Sequence, residues 1–100
     1  MLYRNHAGDK PVIAASATVH PSAVLIGNIQ LGEKVFVGPN AVIRADEPRP
    51  DGKVEALVIE SEVNVQDGAI LHALGGAPVH IGKGSSLAHG AVLHGPCKVG

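Results

Sequence analysis

The stretch IAASATVHPSAVLIGNIQLGEKVFVGPNAVI, residues 13–43, decides the fold. Every sixth residue in it is aliphatic: Ile13, Val19, Leu25, Leu31, Val37 and Ile43. The register breaks across EPRPDGK (47–53), resumes at Ile59, Val65 and Leu71, breaks again across LGGAP (74–78), and returns at Ile81, Leu87, Leu93 and Val99. All thirteen stepped positions are Ile, Leu or Val, types that make up only 28 of the 100 residues, so the spacing is a true repeat. A period of six is neither 3.6 nor 2, which excludes an amphipathic helix and a plain hairpin sheet. Hexapeptide units build a parallel β-helix, in which each unit is a short strand plus a corner and three units make one triangular coil.

Written out in coils of eighteen, the sequence forms columns along the prism. The fifth position of the second face reads Ala23, Ala41, Ala69, Ala91, and that of the first face Ala17, Val35, Val63, Ser85. Small side chains belong there because the corner brings the backbone close to the prism axis. Both interruptions, loops 47–57 and 73–80, leave from the same third corner. The expected organisation is an N-terminal segment (1–11) followed by an all-β domain (12–100) of about four to five coils.

Composition agrees with a thin, layered core. One hundred residues make one small domain, with 45% hydrophobic residues but only two aromatics, so the interior must be Val, Ile, Leu and Ala. Thirteen Gly and seven Pro argue against long helices. A net charge of −1 lacks the electrostatic footprint of a nucleic-acid binder. No apolar run approaches a membrane span, and the polar start carries no signal-like stretch. The single Cys97 cannot form an internal disulfide and falls at an inward position, as a packing thiol. A cytoplasmic protein with no nucleic-acid or membrane partner is expected.

Six histidines are unusual in so short a chain. On the third face the second position reads Ile26, Arg44, His72, His94, so the two histidines share a column although 22 residues separate them. Coils stack about 4.8 Å apart. Two imidazoles on a tetrahedral zinc put their nitrogens roughly 3.4 Å from each other, within reach of that spacing. The third position of the second face reads Pro21, Pro39, Asp67, His89, which sets His89 around the corner from the pair. A second copy of the chain can supply its own His89, and three-fold assembly then gives equivalent sites between subunits. Three imidazoles with a fourth position open is the pattern of a catalytic zinc. His6, His20 and His80 have no column partner and read as solvated surface residues.

The segments RADE (44–47), NVQDGAILH (64–72) and AHGAVLHGPC (88–97) closely resemble the gamma-class carbonic anhydrases and their relatives, with similarity running from about Val12 to Gly100. The resemblance implies a left-handed β-helix assembled as a homotrimer. It implies His72, His89 and His94 as metal ligands, the middle one donated across the interface, and zinc, with iron or cobalt also compatible. It further implies that Gln66 holds the reactive hydroxide, that Asn64 lies near the site and that Glu47 helps move protons. Arg44 would bridge subunits with Asp46 and Asp67 as its acidic partners. The implied reaction is hydration of carbon dioxide to bicarbonate, which needs a nucleophilic hydroxide at neutral pH and an exit for the proton.

The chain departs from that pattern in two places. The 73–80 loop is short and carries no Asp or Glu, unlike the long acidic loop of the fastest enzymes of this type. The sequence also stops where members of the family continue with further coils and a C-terminal helix, so a fragment, or an end covered by a partner, is expected. Two further functions stay open: an acyl-thioester hydrolase on the same scaffold, and a non-catalytic trimeric scaffold with a vestigial site. Hexapeptide acyltransferases share the fold, but three histidines are not their hallmark.

Overall fold

The computed structural model describes residues 1–100 and contains fourteen short strands and no helix. The first face of the prism holds β2 (Val12–Ile13), β5 (Ile29–Leu31), β8 (Leu57–Ile59), β11 (Val79–Ile81) and β14 (Cys97–Val99). The second holds β3 (Thr18–Val19), β6 (Phe36–Val37), β9 (Asn64–Val65) and β12 (Ser86–Leu87). The third holds β1 (Leu2–Tyr3), β4 (Val24–Gly27), β7 (Val42–Ala45), β10 (Ile70–His72) and β13 (Val92–His94). Within each face the strands pair in that order, all in parallel, so successive faces advance the chain through about four coils.

The hexapeptide step fills the core. Nine of the thirteen stepped residues, Leu25 to Leu87, are buried, and the remaining four, Ile13, Val19, Leu93 and Val99, pack against that cluster. The four lie toward the two ends of the stack, where each lacks a coil above or below. Both aromatics stay outside, with Phe36 36% and Tyr3 45% exposed. The small-residue columns are as tight as the spacing predicts, since Ala23, Ala41 and Ala69 are fully buried.

From the second coil onward, the first two corners are two-residue turns whose second residue is left-handed. Lys34, Glu62 and Gly84 take φ of 56°, 61° and 76° between the first and second faces, and Asn40, Gly68 and Gly90 take 59°, 69° and 69° between the second and third. Each turn bonds to the one beneath it: the Gly68 N–H donates to the Pro39 carbonyl and the Gly90 N–H to the Asp67 carbonyl, both at 3.0 Å. The third corner differs. It is eight residues long after β1 (4–11), one after β4 (Asn28), eleven after β7 (46–56), six after β10 (73–78) and two after β13 (95–96). The strands β8 and β11 begin at Leu57 and Val79, so they trim the loops expected over 47–57 and 73–80.

Residues 1–11, read from the sequence as a segment ahead of the β-helix, take part in it. Leu2 and Tyr3 pair with Leu25 and Ile26 as an outer strand of the third face. Asn5 is buried, and its side-chain amide donates to the Ala45 carbonyl at 2.9 Å and to Asp9 Oδ2 at 3.0 Å. No helix is long and apolar enough to cross a membrane.

Candidate metal centre

The register of the third face sets the central geometry. Arg44 pairs with Ile26 on β4 and with His72 on β10, and His72 pairs with His94 on β13. The column expected from spacing is therefore a physical row across adjacent strands. Its roots are secure, because Ile43 and Leu71 beside it are fully buried, whereas His94 is exposed.

His72 is the enclosed member, with its side chain 19% exposed. Its Nε2 is buried and has no hydrogen-bond partner, and the same is true of Asp46 Oδ1. The two atoms stand 3.7 Å apart, and Glu47 Oε2 lies 3.8 Å from the same nitrogen, all beyond hydrogen-bond reach. A buried polar atom left unpaired costs about 1–3 kcal/mol. His72 Nε2 thus has a carboxylate oxygen from each of Asp46 and Glu47 nearby without bonding to either. Asp46 is tied down from its other side, where Oδ2 accepts from Arg44 Nε at 3.3 Å and Nη2 at 3.2 Å. The Arg44–Asp46 pair is therefore formed within one chain.

The other site residues stand elsewhere. His89 is exposed in the turn that joins the second face to the third, and the left-handed Gly90 after it closes that turn. Four residues, 90–93, separate His89 from His94, which is the last residue of β13. Within one chain no three His, Cys, Asp or Glu side chains converge on a point. Asn64 on β9 is exposed, Gln66 just beyond it is half-buried, and Asp67 lies directly below His89 at the same corner. Asp67 makes no ion pair with Arg44 within the chain. The candidate residues fall into two groups: Arg44, Asp46, Glu47, His72 and His94 along the third face and its loop corner, and Asn64, Gln66, Asp67 and His89 along the second.

The remaining histidines stay apart from both groups. His80 is not a bare surface imidazole, because its Nε2 is hydrogen-bonded to Glu60 Oε2 on the first face. Nδ1 of His20 lies 2.8 Å from the Ser22 hydroxyl. Cys97 is a free thiol, half-buried and packed against the core. One contact escaped the sequence reading: the Gly75 N–H donates to Glu47 Oε1 at 3.2 Å, joining the two third-corner loops. The Gly75-Gly76 doublet was the only sign of it.

No family model matches the chain. The carnitine operon protein CaiE of Escherichia coli O157:H7 is 39% identical over 100 residues, all of this chain and 47% of that protein. CaiE of the K12 / DH10B strain is also 39% identical over the same span. The chain thus covers about half the length of the curated relatives it matches. Among solved structures, a Bacillus cereus protein described as a candidate acetyltransferase aligns with TM-score 0.68 at 22% identity, over 95% of this chain and 74% of that one. A hexapeptide transferase family protein from Anaplasma phagocytophilum aligns with TM-score 0.57 at 17% identity, over 95% and 75%. At such identities the two structures speak for the fold alone.

Proposed function

We propose that the chain is a gamma-class carbonic anhydrase-like member of the hexapeptide-repeat, left-handed β-helices and acts, as a homotrimer, as a metal-dependent carbon dioxide hydratase. The observation that carries this reading is the split of the candidate residues between two faces of one prism. A half-site with two column-mated imidazoles faces outward on one side, and a half-site with the third imidazole faces outward on another. Two different complementary faces on every copy form a head-to-tail contact. It closes into a ring when its rotation is a third of a full turn, and such a three-fold ring makes three equivalent junctions.

His72 and His94 of one copy, with the third imidazole from His89 of a neighbour, would hold zinc, and iron or cobalt suit the same ligands. The unpartnered Nε2 of His72 supports this assignment. When bound, the metal supplies Lewis-acid activation of water at neutral pH. The carboxamides of Gln66 and Asn64 are neutral donors and acceptors that orient the reacting oxygen without adding charge beside the metal. Adding water to carbon dioxide gives bicarbonate and one proton. Glu47 Oε2, on a side chain 48% exposed, accepts that proton near His72 and passes it to solvent. Arg44 keeps Asp46 aligned beside His72, and Asp67 carries negative charge to the junction from the opposite face.

Stopped-flow hydration of carbon dioxide tests the reading. The zinc- or cobalt-loaded protein is expected to accelerate hydration, and His72→Ala to abolish the gain. Turnover of acyl-thioesters without carbon dioxide hydration would instead assign a hydrolase. Bound metal with neither activity would assign a scaffold.

A further inference from the structure

Resting on the metal-site reading above, we propose that Gly75 is a positioning residue: its backbone N–H holds Glu47 so that one carboxylate oxygen stands before the metal-binding nitrogen of His72. The second loop is built to offer that N–H. Leu74 and Ala77 exchange backbone hydrogen bonds of 3.0 and 2.9 Å, which close a two-residue turn around Gly75 and Gly76. The left-handed φ of 73° at Gly76 completes the turn. The N–H of Gly75 has no role in closing it and projects outward, where it meets Glu47 Oε1 at 3.2 Å.

The two loops also touch where no side chain would fit. A Cβ on Gly75 would come within 2.7 Å of the Pro48 carbonyl oxygen, so glycine lets the second loop lie against the root of the first. A half-exposed glutamate otherwise samples many rotamers. With Oε1 fixed by Gly75, Oε2 is directed to 3.8 Å from His72 Nε2. Asp46 shows the same construction on the other side, Oδ2 held by Arg44 and Oδ1 at 3.7 Å from that nitrogen. The histidine nitrogen thus faces two carboxylates, each steadied through its far oxygen.

Two measurements test the clamp. In the metal-free protein, amide exchange followed by NMR should be slow at Gly75 and at least about ten-fold faster in Glu47→Ala, whereas unchanged exchange overturns the contact. Cobalt affinity is then measured by chelator competition for the parent, Gly75→Ala, Glu47→Ala and the double variant. Gly75→Ala keeps the N–H but forces the loops apart, and it should weaken cobalt about ten-fold, because a carboxylate no longer held beside the metal-binding nitrogen takes negative charge away from the cation. In the Glu47→Ala background the same change should do nothing further. Full cobalt affinity in Gly75→Ala, or effects that multiply in the double variant, overturns the proposal and leaves the metal site standing. Failure of the parent to bind cobalt through His72 overturns the site and the clamp together.

Discussion

Leu71 sits fully buried between Ile43 and Leu93 in one column of the core, and its neighbour His72 faces the outside. Leu71→Ala should therefore cost about 2–5 kcal/mol, read as a lower urea midpoint at unchanged slope. Leu93→Ala should cost less, since that residue is only partly buried. Side-chain surroundings also rank the histidines. His72→Ala, His89→Ala or His94→Ala should each remove most bound metal by elemental analysis, whereas His80→Ala should leave it, because His80 already has Glu60 as partner on the first face. At this scale the sequence was legible where a residue's place follows from the six-residue step, as for the Arg44–His72–His94 row. It was silent where a contact depends on how a loop closes. The Gly75 grip on Glu47 spans 28 residues and two irregular loops, and no periodicity encodes it.

The elements repeat that contrast. Strands and corners were readable because each coil buries the same positions of the unit, and thirteen aliphatic steps over-determine the register. The strand β1 was hidden because 23 residues separate Leu2 from Leu25, whereas 18 separate Leu25 from Ile43, so residues 4–11 break the phase. The first loop has internal order that its composition conceals. Pro48 bridges Val54, and Arg49 forms ion pairs with Asp51 and with Glu55, the latter at 3.1 Å. The Arg49 guanidinium, through a hydrogen bond, holds the Asp51 carboxyl below its ordinary 3.8. A carboxyl lowered in the folded state adds stability above the ordinary value and loses it as pH falls through the lowered one. Both groups are exposed, so the effect is small and weakened by salt. An NMR titration of Asp51 should give a midpoint under 3.8 that returns toward that value in Arg49→Ala.

At the scale of the whole molecule, the two half-sites predict complementation between subunits. A His89→Ala chain still offers His72 and His94, and a His94→Ala chain still offers His89. When the two are unfolded together and refolded, each mixed trimer contains one junction with all three imidazoles. Equal mixing should restore roughly a quarter of the tight metal sites, measured as zinc or cobalt per trimer, whereas either variant alone should hold almost none. No recovery in trimers shown by mass spectrometry to be mixed would place all three ligands in one chain. The third corner has a consequence of another kind. Its successive spans of eight, one, eleven, six and two residues leave every later strand in step, because each excursion returns to the same edge of the prism. One residue added at either of the other corners would turn the following strand's inward residues outward. Chain length is thus free to drift at a single seam, the one that borders His72. Evolution can lengthen, shorten or recharge the rim of the site there while the folding problem stays the same, and a designer wishing to graft a foreign loop has its address in residues 50–53.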